Sequence, residues 1–457
     1  MNRVAEPYLK VADVVNGFAA SRILHVAVKL DVFSKLADEG KTAAQLSTLL
    51  GVDTHALELL LNALTAMGFL RKESERFEDT PVSHTYLSKR GPKYLGHLIR
   101  HWSRRWDDWG KLEESLRTGK PVRKPDMYQN DPKELEDFIR GMHQLAIARG
   151  DARYMSRAIP LRRCRKLLDV GGGPGTYAAM FCRANRNLQA TVMDLPATLR
   201  VTRKILREFD MTGRVGTMSG DYRSDKIKGA PYDVALLSNI LHAEDEETNR
   251  KLLRNVHDAL VPGGILIVKD HVLSADHTEP RNGAVFALHM FLGTYGRTYS
   301  FVEISSWMQA AGFQDMVEVP VEEPVNVSLV LALRPGKRAL AVLPKPAAKV
   351  VRPAPEEAAA ADAALSETKT AGTATRPAPA PPAGARTTRK SASKKPSPSR
   401  AKTPASKKAP SSSTASRRRS TGSAGKSGTR AASRNTASRK TVPPTKSSSP
   451  NHPRATR

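Results

Sequence analysis

The 457-residue chain carries two cysteines, Cys164 and Cys182, with no CxxC and no His/Cys cluster at ligand spacing. That excludes a disulfide-held scaffold and a zinc module, and the thiols read as free, half-buried groups of a reducing cytoplasm. The N-terminus "MNRVAEPYLKVADVV" lacks the apolar core of a signal peptide. No stretch reaches about 18 uninterrupted apolar residues, so no membrane span is expected, and the expected location is cytoplasmic. Phe, Trp and Tyr are absent after Pro335, and acids are absent after Glu367. Such a segment has too little apolar area to offset the entropy of ordering, so residues 336–457 are expected to be disordered.

What the chain has in excess is positive charge, a formal +28. Its distribution matters more than its size. Of 73 Lys and Arg, 27 lie after residue 335, against 4 of the 45 Asp and Glu; this leaves 46 basic and 41 acidic residues, a net +5, for residues 1–335. The body is electrostatically ordinary. The tail, with "KKPSPSRAK" and "TPASKKAP", resembles histone H1-type tails; on one reading its charge would bind DNA non-specifically by counterion release, and on the other it is a solubilising or anionic-surface-sticking extension with no selected partner.

Three regimes precede that tail. Residues 1–100 read helical, with apolar residues at spacings of three and four in "VADVVNGFAASRILHVAVKLDVFSKL". A helix, the Gly51 turn, a second helix ending near Gly68 and an alternating "FLRKESERFEDTPVS" form a winged-helix pattern. Its second helix offers Asp53, Glu58 and Asn62 but no cation before Arg71, a poor phosphate-facing surface, so a protein–protein role is expected. Residues 101–160 read as connecting helices, with Trp102, Trp106 and Trp109 on one helical face, as core packing or as a pocket wall.

Residues 161–335 alternate short β-runs with helices: "KLLDV", "LQATVMD", "VGTMSGD", "YDVALLS", "GILIVKD", then "MVEVPV" and "VSLVLAL" as an edge hairpin. That is an α/β fold, a Rossmann-like seven-stranded sheet with helices on both faces. The helix "TNRKLLRNVHDAL" is expected to stop at Pro262-Gly263-Gly264.

The first run ends in "LLDVGGGPGTYAAMF". A dinucleotide site needs GxGxxG, but glycines stand at 171, 172, 173 and 175 with Thr176 after them, and no GK[ST] follows for a P-loop. Acids stand at the ends of the first three runs: Asp169, Asp194 and Asp221. One such acid can be a helix cap. Together they line one crevice at the carboxyl ends of the strands. Asp194 is placed to accept both hydroxyls of a ribose, Asp221 and Tyr222 suit an adenine edge and face, and Asp169 suits a cationic amino group and sulfonium. The ligand expected is S-adenosyl-L-methionine.

With these motifs, "ALLSNILHAEDEETNRKLLRNVHDALVPGGILIVKDHVL" and "GRTYSFVEISSWMQAAGF", residues 10–335 resemble the class I O-methyltransferases of the plant caffeate and hydroxyindole type and their bacterial relatives. The resemblance implies an N-terminal dimerisation domain, hence a homodimer, and no metal. The cofactor set expected is Asp169, Gly171, Gly173, Gly175, Asp194, Leu195, Asp221, Tyr222 and Ser238. A hydroxyl acceptor gains from a base, and histidine is the natural one. His242 follows the fourth strand, and the family's catalytic histidine maps onto it; the family's orienting carboxylate maps onto Asp270. His289, Met290 and Phe291 are expected to line the acceptor pocket by the same resemblance.

Two positions depart from the family. Gly296 stands where a second acid is usual, and "HAED" replaces "HDW" after the histidine. The acceptor expected is a small hydroxylated molecule, aromatic or polyketide/isoprenoid-like. Two alternatives are a carbon acceptor of tetrapyrrole type and a DNA-binding, nucleoid-associated protein with a ligand-sensing methyltransferase-like body.

Overall fold

The computed structural model describes residues 5–159, 161–321, 327–337, 340 and 343. The basic tail expected over 336–457 lies almost wholly outside these residues.

The chain opens on a helix, Ala5–Leu30. Its stretch Pro7–Leu30 contains an 18-residue window with a mean hydropathy of 1.3 and, among the described residues, is the one helix long and apolar enough to cross a membrane by length and composition. A search for unbroken apolar runs passes over it because Lys10, Asp13, Arg22 and Lys29 interrupt it. Tyr8, Leu9, Val11, Val14, Val15 and Phe18 are exposed, whereas Ala27 and Val28 enter the core of the N-terminal region.

A winged helix follows. Strand β1 (Lys41–Thr42) leads into the helix Ala43–Leu50, started by a Thr42–Gln45 capping box and stopped by left-handed Gly51. The helix Thr54–Ala66 is capped by Asp53, whose carboxylate accepts the Ala56 amide. β2 (Leu70–Glu73) and β3 (Arg76–Asp79) form the wing, in sheet order β1-β3-β2. Lys72 reaches back from the wing to Glu58 and Asn62 on the second helix, so that helix's acidic face is partly covered from within the domain.

The boundary expected at residue 100 falls inside the helix Gly96–Arg104. The three tryptophans do not share one helical face. The helix ends at Arg105, a buried side chain held by Glu134 and Asp108, and a separate short helix runs from Trp106 to Trp109. Trp106 turns to Phe18 and His25 of the N-terminal helix, while Trp102 and Trp109 both meet His289.

The second region is built on β4 (Lys166–Val170), β5 (Gln189–Asp194), β6 (Val215–Ser219), β7 (Tyr232–Ser238) and β8 (Leu260–Asp270). Val272–Leu273 (β9) and Tyr299–Ser300 (β10) form a small parallel pair; β11 (Gln314–Val321) and β12 (Val327–Leu333) complete the large sheet. Its order is β11-β12-β8-β7-β4-β5-β6, with β4 to β8 parallel and β12 antiparallel to both neighbours. The expected edge hairpin is therefore refined: the later strand sits inside and the earlier one takes the edge. β8 also starts sooner than expected, at Leu260, and runs through Pro262-Gly263-Gly264, where left-handed Gly263 donates its amide to Arg334.

The strands read as continuous apolar runs because both faces are covered. Leu167, Leu236, Ile265 and Ile267 pack into one core, whereas Leu168, Leu237, Leu266 and Val268 pack into the other. The two-residue period thus decides which side of the sheet each terminal side chain joins. Connections reverse direction between β4 and β7, which places a crevice at their carboxyl ends.

Candidate active site

The glycine loop sits at that crevice. Gly171, Gly173 and Gly175 all have positive φ, and the Gly173 amide donates to Asp194 Oδ2 at 2.8 Å. The Leu195 amide donates to Asp194 Oδ1 at 2.7 Å, so β5 and the loop are locked together by one carboxylate. Burial pushes the Asp194 carboxyl up, opposed by those two amides. Gly172 carries no conformational demand but a steric one: a Cβ there would stand 2.5 Å from Asp169 Cγ.

Asp169 is the anomaly of the crevice. It is 1% exposed and neither carboxylate oxygen has a hydrogen-bond partner. Burial, reinforced by nearby Asp194, pushes its carboxyl up to about 8; the Ala178 amide, near it but outside hydrogen-bonding geometry, is the last of the influences and opposes the rise. Unpaired buried polar atoms are uncommon and call for a ligand or a functional reason. A cationic group brought by a ligand supplies one. The residues present therefore fit a cofactor with a positive amino and sulfonium end beside Asp169 and a polar end at Asp194.

The third acid sits differently from the expectation. β6 ends at Ser219, and Asp221 lies beyond it in a turn, one oxygen accepting the Arg223 amide at 2.9 Å. Tyr222 lies beside Gly171, and its hydroxyl donates to Glu244 Oε1 at 2.6 Å. Glu244 is 3% exposed and also binds the Arg223 guanidinium at 2.7–3.0 Å. This clasp between the Tyr222 segment and the His242 loop escaped sequence reading, in which "HAED" registered only as lost residues. Ser238, at the end of β7, stands in register with Lys269, and its buried Oγ lies near the Tyr177 hydroxyl.

His242 lies in one 3₁₀ turn, Leu241–Ala243, just beyond β7. Its Nδ1 is 2.5 Å from Asp270 Oδ1, its backbone amide donates to Asp270 Oδ2, and both residues are buried. The His271 amide donates to Asp270 Oδ1 as well. Burial works to raise the Asp270 carboxyl, yet His242 and His271 together hold it below the usual range. An ionised Asp270 accepts the proton of Nδ1, which leaves Nε2 with a free lone pair. Lys269, one residue earlier, points to the opposite side of the sheet, fully buried, 3.3 Å from Asp151 and therefore outside the crevice.

Gly296 packs directly on the His242 loop. A Cβ there would overlap the His242 carbonyl oxygen and crowd the Glu244 amide. The backbone of the His242 loop therefore fills the space that a side chain at position 296 would need. Gly296→Glu is expected to destabilise the fold by about 1–3 kcal/mol or more and to reduce methyl transfer rather than improve it, as overpacking does. Thermal melts and turnover of the variant check this; an undisturbed melting temperature with faster turnover would contradict it.

An aromatic wall faces the dyad. Phe286 meets His242 edge-on at 5.1 Å between ring centroids and stacks on His289 at 5.6 Å. His289 in turn stacks on Trp109 and lies 4.6 Å from Trp102. Of the expected lining residues, His289 belongs to this wall and Met290 is buried, while Phe286, one helical turn earlier, makes the contact with His242. The helix Arg281–Gly293 has no amphipathic period strong enough to single out Phe286 from sequence. Elsewhere, Asp276 is engaged by Ser274 and Thr278, and His277 by Glu303. Cys164 and Cys182 are fully rather than half buried, their thiols pushed up to about 12 and about 11 by that burial.

Comparison with known proteins places this geometry. Residues 119–314 match the O-methyltransferase domain and residues 12–89 the O-methyltransferase dimerisation domain. The chain is 31% identical over 320 residues to 3-hydroxy-5-methyl-1-naphthoate 3-O-methyltransferase of Streptomyces sahachiroi, covering 69% of this chain and 92% of that protein. It is 29% identical over 319 residues to the tetracenomycin polyketide synthesis 8-O-methyl transferase TcmO of Streptomyces glaucescens, covering 68% and 93%. An O-methyltransferase family protein from Burkholderia thailandensis superposes with a TM-score of 0.66 at 27% identity, over 72% of this chain and 99% of that one. The match to the dimerisation domain begins within the N-terminal helix and includes the exposed Val14, Val15 and Phe18, while Tyr8, Leu9 and Val11 precede it. The chain belongs to the O-methyltransferase family, whose members join such a module to an S-adenosylmethionine-dependent methyltransferase domain.

Proposed function

We propose that the chain methylates a hydroxyl of a small aromatic or polyketide-like acceptor, with His242 as general base and Asp270 as its orienting partner. The observation that carries this reading is the buried 2.5 Å contact between His242 Nδ1 and Asp270 Oδ1 beside an aromatic wall. S-adenosylmethionine supplies a methyl group already activated by its sulfonium. Asp194, Leu195 and the glycine loop hold its polar end, with Asp221, Tyr222 and Ser238 at the other side of the crevice and Asp169 beside its cationic end. The protein's main task is orientation, which supplies roughly 7–11 kcal/mol in well-aligned reactions. His242 Nε2 takes the hydroxyl proton as the oxygen attacks, and Asp270 holds the imidazole tautomer and stabilises the charge that develops on the ring.

The test is the bond formed. With methyl-labelled cofactor and a panel of hydroxylated arenes, the product is expected to be a methyl ether by mass spectrometry and NMR. A carbon–methyl product would overturn oxygen as the acceptor atom. The relatives named for naphthoate and tetracenomycin substrates support an aromatic panel as the starting point. The N-terminal module is read as the homodimer interface, consistent with the apolar residues that its helix exposes.

A further inference from the structure

Beyond Phe286 the aromatic wall ends in a group of unsatisfied nitrogens. His101 is 3% exposed and its Nδ1 has no partner; Arg105 is 6% exposed and its Nε has none; His289 Nδ1 is likewise buried without one. The three belong together. His101 packs against Trp102, Tyr128 and Phe138, Trp102 packs on His289, and Arg105 and His289 are the charged or polar neighbours that act most strongly on His101. Arg105 is otherwise fully engaged, by Glu134, Asp108 and the Tyr128 hydroxyl, so its remaining N–H is held in place. Burial first, and Arg105 next, push the His101 and His289 imidazoles down to about 3 and about 4, which keeps both rings neutral near pH 7.

Three polar atoms left bare within one aromatic cluster form a costly arrangement for a core and a useful one for a binding site, since a buried donor or acceptor without a partner loses its hydrogen bond to water and gains none in return. Phe286 links this cluster to the dyad: its ring packs edge-on against His242 at 5.1 Å and stacks on His289 at 5.6 Å between centroids.

We infer that the acceptor carries a second, hydrogen-bond-accepting oxygen, a carbonyl or carboxyl, on the ring remote from the methylated hydroxyl, received by His101, Arg105 and His289. A neutral imidazole N–H and a guanidinium N–H donate to such an oxygen whether it is charged or not, and the nearby Glu134 and Asp108 already balance the arginine. This inference rests on the proposal that the acceptor hydroxyl meets His242. It makes His101, Arg105 and His289 specificity residues rather than catalytic ones.

The experiment uses the full chain with S-adenosylhomocysteine and three probes: a hydroxynaphthoate and an acetylnaphthol with the two groups on opposite rings, and plain naphthol. Binding is read by quenching of Trp102 and Trp109, and turnover by methyl ether formed with S-adenosylmethionine. One or both oxygen-bearing probes are expected to bind at least about tenfold more tightly than naphthol, and which of them does so separates carboxylate from ketone. His289→Phe keeps the stack on Trp109 and Phe286 while removing the nitrogens. In it, and in His101→Phe, the preference is expected to fall to within about twofold, as a KM effect larger than any change in kcat. Equal binding of all three probes, no quenching by any, or an unchanged preference in both variants overturns the inference. If the preference is present but no probe is methylated, the His242 reading fails and this one stands. If all three are methylated with equal KM, the reverse holds.

Discussion

Replacing His242 by Gln is expected to lower kcat by about 10²- to 10⁴-fold, the usual worth of a positioned general base. Cofactor binding should persist, because His242 bonds Asp270 and packs on Phe286, whereas the loop is held through Asp194 by the Gly173 and Leu195 amides. Gln is the informative substitution. Its length preserves most of the volume against Phe286 and it can still hydrogen-bond Asp270, but it offers no lone pair of imidazole basicity. Asp270→Asn should cost comparably through a different route: an amide can donate to Nδ1, which moves the ring proton to Nε2 and leaves the base unable to accept. Single-turnover methyl transfer beside calorimetric titration with S-adenosylhomocysteine separates the two effects. Turnover of the Gln variant within threefold of the parent would move the acceptor chemistry elsewhere, to proximity alone.

The second large effect concerns Asp169, and its sign reverses between the free and the loaded protein. In the free protein burial holds this carboxyl at about 8, so at pH 7 it is mostly protonated. A cation seated beside it favours the carboxylate, so binding of S-adenosylmethionine is expected to release a proton, and affinity is expected to rise with pH until about 8 and then level. Stability of the free protein runs the other way. A carboxyl raised in the folded state contributes stability that is present below its ordinary value of 3.8 and is lost as pH rises through about 8. Asp169→Asn is neutral throughout. The variant should therefore melt above the parent at about pH 9, match it near pH 4, and bind the cofactor at least about tenfold more weakly at about pH 8. Melting curves across pH, and calorimetry in buffers of different ionisation enthalpy, read these outcomes. Equal cofactor affinity in the two proteins at pH 8 would remove Asp169 from the site.

Both predictions stand on residues that local pattern already exposed. Apolar runs at regular spacing, an acid at the end of each and a glycine cluster after the first are enough for the doubly wound sheet and for Asp169 and Asp194, because strand ends converge at a crevice in any parallel sheet with this connectivity. His242 was legible for the same reason, standing after a strand with "ILHAED" in the family's place. Asp221 was legible as a residue but not as a geometry, since a turn two residues past the strand redirected its carboxylate to its own backbone.

What stayed hidden depends on segments far apart in the chain. Glu244 gains its meaning from Tyr222 and Arg223 across the crevice, and Gly296 from a backbone it touches more than fifty residues away in sequence. The tryptophan triplet was misjudged because Arg105 finds Glu134 and Asp108 and breaks the helix, an exchange of regular hydrogen bonds for a buried ion pair that local propensity does not register. Sequence by itself determined the two-region order, the parallel sheet and the cofactor loop, which follow from periodicity and from strand ends, while the His242–Asp270 pairing was legible through the resemblance to the family. Tertiary structure alone decided the unpaired state of Asp169, the clasp at Glu244 and the wall from Phe286 to His101, because burial and missing partners are properties of what surrounds a residue in space.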